Sequence, residues 1–181
     1  MTFVALLRGV NLAGRKMVAM ADLRVLVERI GMRDVRTLLQ SGNVVFSSRA
    51  RTAAPLEKAF EAEAAKTFGF AVDVFVRSDK DLQAVIAANP FPREAARDPG
   101  RLLVMFLKAA PTPAAIIALE QAIPGRETLH VAGRHAYIYY PDGLGRSKLG
   151  TALIEKKLGT RGTMRNWNTV LRIAALHATQ S

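Results

Sequence analysis

The chain has no cysteine, so disulfides, thiolate metal sites and cysteine nucleophiles are excluded, and a reducing compartment suits it. It has few histidines, His130, His135 and His177. Two of them flank a turn with no acidic cluster nearby, which is too few ligands for a zinc site. Long apolar runs are missing as well. No stretch reaches the ~20 residues of a membrane helix, and the apolar run at residues 3–7 has no basic leader or small-residue cleavage site. The expected setting is the cytoplasm, without a membrane. Acidic residues are scarce: 15 Asp and Glu stand against 26 Lys and Arg, a net charge of +11. The excess grows toward the end, where residues 143–181 carry seven basic residues against Glu155 alone. Such a field attracts nucleic acid or phosphorylated small molecules.

What the chain does have is apolar residues. They make up 50% of it, enough for a core that buries roughly 70% of the unfolded surface at this size. Their spacing alternates between strand and helix. Residues 3–7 form a short apolar run, read as a strand. Over residues 20–30, Leu23, Leu26, Val27 and Ile30 fall at i, i+3, i+4 and i+7, the helical spacing. Residues 35–39 and 44–46 read as strands joined through Ser41, Gly42 and Asn43, since glycine and asparagine accept positive φ. Pro55 opens a second helix that Gly69 ends, and residues 70–76 read as a fourth strand. This order, βαββαβ, is the ferredoxin-like pattern. Ser78 and Asp81 then carry a capping-box signature for a short helix.

Asn89, Pro90, Phe91 and Pro92 break the pattern, which places a boundary between subdomains 1–90 and 91–181 within what is expected to be one compact unit. The second half begins again with the apolar strand 102–107, a helix opened by Thr112 and Pro113, and a hairpin about Gly133. A helix containing Leu149, Leu153, Ile154 and Leu158 follows. A last helix carries Trp167, Val170, Leu171 and Ala174 as its stripe. The expected fold class is therefore α+β: a ferredoxin-like βαββαβ unit packed against a related βαββα unit closed by a C-terminal helix. Strands 3–7 and 102–107 do not alternate polar with apolar, so both of their faces should be buried. An RNA-recognition sheet needs open stacking aromatics, and only Phe3 and Phe46 are offered.

Four segments carry a family resemblance. They are Leu6-Leu7-Arg8-Gly9-Val10-Asn11, Gln40-Ser41-Gly42-Asn43-Val44-Val45-Phe46, Tyr140-Pro141-Asp142-Gly143 leading to Ser147-Lys148-Leu149, and Arg165-Asn166-Trp167-Asn168-Thr169. Together they resemble the bacterial family catalogued as domain of unknown function 1697, over nearly the whole chain. The resemblance implies ferredoxin-like subdomains in a cytoplasmic bacterial protein. It carries no activity, cofactor or catalytic residue to transfer. Ala13 departs from the family at a position where relatives often have glycine.

Polar residues gather at four places. Arg8, Asn11, Arg15 and Lys16 follow the first strand, and βαββαβ topology brings Gln40, Ser41 and Asn43 to the same end of the sheet. Arginine with amide and hydroxyl donors suits a phosphate or carboxylate. The structural alternative is that the asparagines cap turns, Ser41 bonds its own backbone and Arg8 pairs with an acid. Residues 9–16 nearly spell a P-loop, but Arg15 and Lys16 replace its Lys and Ser/Thr, which removes the magnesium ligand. In the basic half, Arg146, Ser147 and Lys148 precede a helix that Ser147 is expected to cap, and Arg165 and Asn166 are expected to open the last helix; both helix starts are anion-site candidates.

No nucleophile motif and no pair of cleft carboxylates occurs. The leading expectation is a binding module for a phosphate-bearing ligand, a nucleic acid or a nucleotide-like molecule, with no cofactor or metal. A small cofactor-independent enzyme is the second reading, with Arg8, Asn11, Ser41, Asn43, Arg165 and Asn166 steadying an oxyanion between the halves. An interaction domain whose polar motifs are purely architectural is the third.

Overall fold

The run Thr2–Leu7 forms strand β1, and helix α1 (Met20–Arg29) follows a long loop. Strands β2 (Arg33–Leu38) and β3 (Asn43–Ser47) make a hairpin, and α2 (Ala53–Phe68) and β4 (Val74–Ser78) complete the order βαββαβ. Gly69 ends α2 in the left-handed conformation, φ 74°, as a glycine C-cap does. The sheet order is β2-β3-β1-β4, antiparallel throughout. The computed structural model describes residues 1–178, with side chains as far as Leu176, so the His177 side chain lies outside the described set.

The second set of elements is α4 (Pro92–Arg97), β5 (Leu102–Leu107), α5 (Pro113–Glu120), β6 (Thr128–Ala132), β7 (His135–Tyr139), a 3-10 turn (Leu144–Arg146), α6 (Thr151–Leu158), β8 (Gly162–Asn166) and α7 (Trp167–Ala178). Before it comes α3 (Asp79–Ala87). Here Ser78 Oγ accepts from the Asp81 amide and Asp81 Oδ2 from the Ser78 amide, both at 3.1 Å, the reciprocal capping expected from the sequence. The second sheet has the order β6-β7-β5-β8, the same as the first. The fold is α+β, two ferredoxin-like units in tandem. By contact density one unit comprises Met1–Ala84 with residues 172–178, and the other Val85–Leu171.

Each unit has its own helix-covered core. In the first, Phe3, Ala5 and Leu7 of β1 pack with Leu23, Leu26 and Val27 of α1 and with Leu56, Phe60 and Ala64 of α2. In the second, Leu103, Met105 and Leu107 of β5 pack with Leu119 of α5 and with Ile154 and Leu158 of α6. Burying side chains of this size contributes about 1.5–3 kcal/mol each. The opposite faces are buried too: Val4 and Leu6 of β1 and Leu102, Val104 and Phe106 of β5 are at most 1% exposed. The unbroken apolar runs therefore mean what they suggested, strands covered on both sides.

Four expectations need correction. The second unit is not βαββα: β8 supplies a fourth strand, paired to β5 with Met164 opposite Met105. Its sequence, Gly-Thr-Met-Arg-Asn, has a single apolar residue, so no periodicity announces it. The fourth strand of the first unit starts at Val74, not residue 70, because residues 70–73 form a loop that joins the cluster described below. The segment read as a charged break contains α4, started by Pro92. Leu171 is 42% exposed, whereas Ile173 is 1% exposed, so the inward arc of α7 runs Trp167, Val170, Ile173. Among the described residues no helix is long and apolar enough to cross a membrane.

Candidate functional site

At one end of the first sheet, three loops converge. Arg8 follows β1; its amide donates to the Asp73 carbonyl (2.9 Å) and its guanidinium lies 3.2 Å from the Asp73 carboxylate. Asn11, at φ 54°, accepts from the Val18 amide (2.7 Å) and donates to the carbonyls of Val18 (2.8 Å) and Gln40 (2.7 Å). Lys16 donates to the Ala71 carbonyl (3.1 Å) and sits over the Phe70 ring. Asn43 is fully buried and donates to the Leu38 carbonyl and the Ser41 hydroxyl, both at 2.9 Å. Gly42 explains the close approach: a Cβ there would stand 2.7 Å from Val10 and 2.8 Å from Leu7, and its φ of +72° already favours glycine.

Arg8, Asn11, Lys16, Gln40, Ser41 and Asn43 are thus brought together, and Arg15 lies on the exposed tip of the same loop. The contacts just named engage Arg8, Asn11, Lys16 and Asn43 with neighbouring loops. The loop at residues 9–16 also spends its own amides, Asn11 N on the Lys16 carbonyl (3.1 Å) and Arg15 N on the Leu12 carbonyl (2.9 Å). A P-loop instead aims such amides at phosphate. This cluster is a brace between loops, built from a backbone that takes positive φ at Gly9, Asn11, Ala13, Gly14 and Lys16.

Arg165 and Asn166 end β8 and lead directly into α7, which Asn166 opens as expected, whereas Arg165 is buried and not presented at an exposed helix start. Arg165 is 8% exposed and donates to Thr163 Oγ1 (2.9 Å) and the Met164 carbonyl (2.8 Å). Burial lowers its pKa to about 10. Asn166 Oδ1 accepts from the Thr169 amide (2.9 Å) and so caps α7.

The remaining cluster is different. Between the segment leading into β6 and the loop that follows β7 lies a cavity of about 270 Å³, whose walls include Gly125, Arg126, Glu127, Asp142, Arg146, Ser147 and Lys148. Ser147 is not the expected cap of α6, whose N-cap is Gly150. Its hydroxyl instead accepts from the Leu149 amide (2.9 Å) and donates to the Glu127 carboxylate. Arg126 is held by Asp142 at 2.6 Å, an exposed pair of the kind that adds little stability. Arg146 and Lys148 are exposed, and among the described residues neither has an acidic partner. Tyr140 forms the floor, donating to the Leu149 carbonyl (2.9 Å); burial first, and the Glu127 charge second, push its pKa up.

Sequence reasoning named Arg146, Ser147 and Lys148 but missed Glu127, Gly125 and Arg126. The available signal was the rarity of acid in the basic half: Glu127 is one of six acidic residues after position 90. No side-chain group of three metal-ligating residues occurs among the described residues.

Two ferredoxin-like units in tandem define a fold that another protein shares. The chain is similar to a solved structure, the conserved bacterial protein SP0830 from Streptococcus pneumoniae, at 22% identity and a TM-score of 0.75, over 97% of each chain. The family described as protein of unknown function (DUF1697) matches residues 1–137, and the chain belongs to that family. No curated protein matches it.

Proposed function

We propose that the chain is a binding module for a small phosphate-bearing molecule, held in the cavity beside Arg146, Ser147 and Lys148. The observation that carries this reading is that two cations without acidic partners line a concave site next to a fixed hydroxyl. Elsewhere Arg8, Asn11, Lys16, Asn43 and Arg165 are engaged with neighbouring groups of the fold. A phosphate offers oxygens to both cations and to the Ser147 region, and charge-assisted bonds are the stronger ones. The volume, about 270 Å³, suits a phosphate with a short appendage and is slightly below the usual range for larger ligands. Strands buried on both faces leave no stacking platform for single-stranded RNA, which favours a small molecule over a nucleic acid.

Calorimetric titration with inorganic phosphate and simple phosphomonoesters tests the reading. Arg146→Ala with Lys148→Ala is expected to weaken binding at least tenfold, about 1.4 kcal/mol, without changing the melting temperature, since both side chains are exposed. Equal affinity in the double variant, or no binding by the unaltered chain, would overturn it.

A further inference from the structure

We propose that the ligand of this cavity is a soluble phosphomonoester that also bears a primary ammonium group, and that Glu127 selects it; the inference rests on the phosphate reading above. A carboxylate offers about four acceptor positions. That of Glu127 meets one donor, the Ser147 hydroxyl, and its Oε2 atom is buried with no hydrogen-bond partner. Buried polar atoms are normally satisfied, and an exception calls for a missing partner. Among the described residues no cation supplies one: the neighbouring Arg126 is turned to Asp142.

Glu127 lines the same cavity as Arg146 and Lys148, and its buried Oε2 comes within reach of a ligand held by those cations once the carboxylate turns. Gly125 gives the unpartnered Oε2 atom the place it occupies beside the cavity. A Cβ at that position would stand 2.7 Å from Glu127 Oε2, and its φ lies outside the left-handed region, so space near Glu127 is what the missing side chain provides. The charges then balance. Arg126 and Asp142 cancel, the two unpaired cations match a phosphate monoester of charge −1.5 to −2, and Glu127 matches one ammonium. An ammonium brings three donors and a positive charge together, which a hydroxyl does not.

The test is titration of the full chain with inorganic phosphate, O-phosphoethanolamine and phosphocholine. The last two share the phosphate and the positive charge, but phosphocholine has no N–H donor. Phosphoethanolamine is expected to bind about tenfold more tightly than phosphocholine. Glu127→Gln should abolish that preference, the two compounds then binding alike. Gly125→Ala, which displaces the carboxylate without backbone strain, should do the same. Equal affinity for the two amines, or a preference that survives both substitutions, would overturn the ammonium assignment while phosphate still binds. Binding to phosphatidylethanolamine vesicles in place of the free compound would overturn the assignment to a soluble monoester. Failure of all three probes would remove the phosphate reading and this inference together.

Discussion

Asn43 shows how much one side chain organises here. It has no exposed surface, yet its amide fastens the Leu38 carbonyl and the Ser41 hydroxyl, closing the β2–β3 hairpin from within. Removing it takes a donor from the part-buried Leu38 carbonyl and leaves a gap at a fully buried position. Asn43→Ala is therefore expected to cost about 1–3 kcal/mol, read as a shift of the urea midpoint, and an unshifted midpoint would refute the bracing role. Ala13 makes the opposite point. It holds φ 48° where a Cβ is costly, so a glycine there would meet a backbone demand and not a chemical one. Asn11 and Asn43 were legible as residues of interest because asparagine in a turn so often bonds backbone. Which role they filled was not legible, since that depended on what stood opposite them: the Gln40 carbonyl for Asn11 and the Leu38 carbonyl for Asn43.

Among the elements, β4 and β8 occupy corresponding places in their sheets, and each carries an arginine one residue before its end. Arg77 stands opposite Val4 and Arg165 opposite Val104, both buried, and each donates to the carbonyl of the residue before it at 2.8 Å. Each strand then runs into a helix capped by its final residue, Ser78 or Asn166. The repeat is one of geometry, which is why comparing the two halves letter by letter does not reveal it. Strand β7 carries a testable consequence. Tyr137 is buried, donates to the Val85 carbonyl at 2.6 Å, and has its pKa raised by burial from 10 to about 12. The folded state then keeps a proton that the unfolded chain releases between those values. This contribution is fully present below pH 10 and is lost as pH rises through about 12. Denaturation followed across that window should show falling stability, with tyrosinate absorbance from Tyr137 appearing only as the fold opens. Tyr137→Phe should flatten the fall and cost about 0.5–1.5 kcal/mol at neutral pH. Tyrosinate formed near pH 10 by all three tyrosines of a still-folded chain would contradict it.

For the whole molecule the dominant property is charge. A net +11 draws any polyanion, and the buried sheet faces give such contact nothing to read. Mixed-sequence RNA and single-stranded DNA should therefore bind alike at low salt. A chain neutralising 6–10 phosphates loses about 10³–10⁵ in affinity between 50 and 200 mM salt, and losses of that order are expected here. Phe46→Leu should leave the RNA affinity unchanged, since Phe46 is wholly buried. Filter binding across a salt series checks both, and tight, salt-resistant, sequence-selective binding would show that a reading surface exists.

The sequence by itself determined the α+β class, the βαββαβ order of the first unit, the two doubly covered strands and the capping box at Ser78, because spacing and turn chemistry are local. Tertiary structure decided the rest. Strand β8 exists because β5 offers a free edge and because a Cβ at Gly162 would run into Met105. Ser147 faces Glu127 and not a helix end because the loop after β7 folds against the segment before β6. That contact joins residues 20 apart in sequence, a distance over which periodicity carries no information.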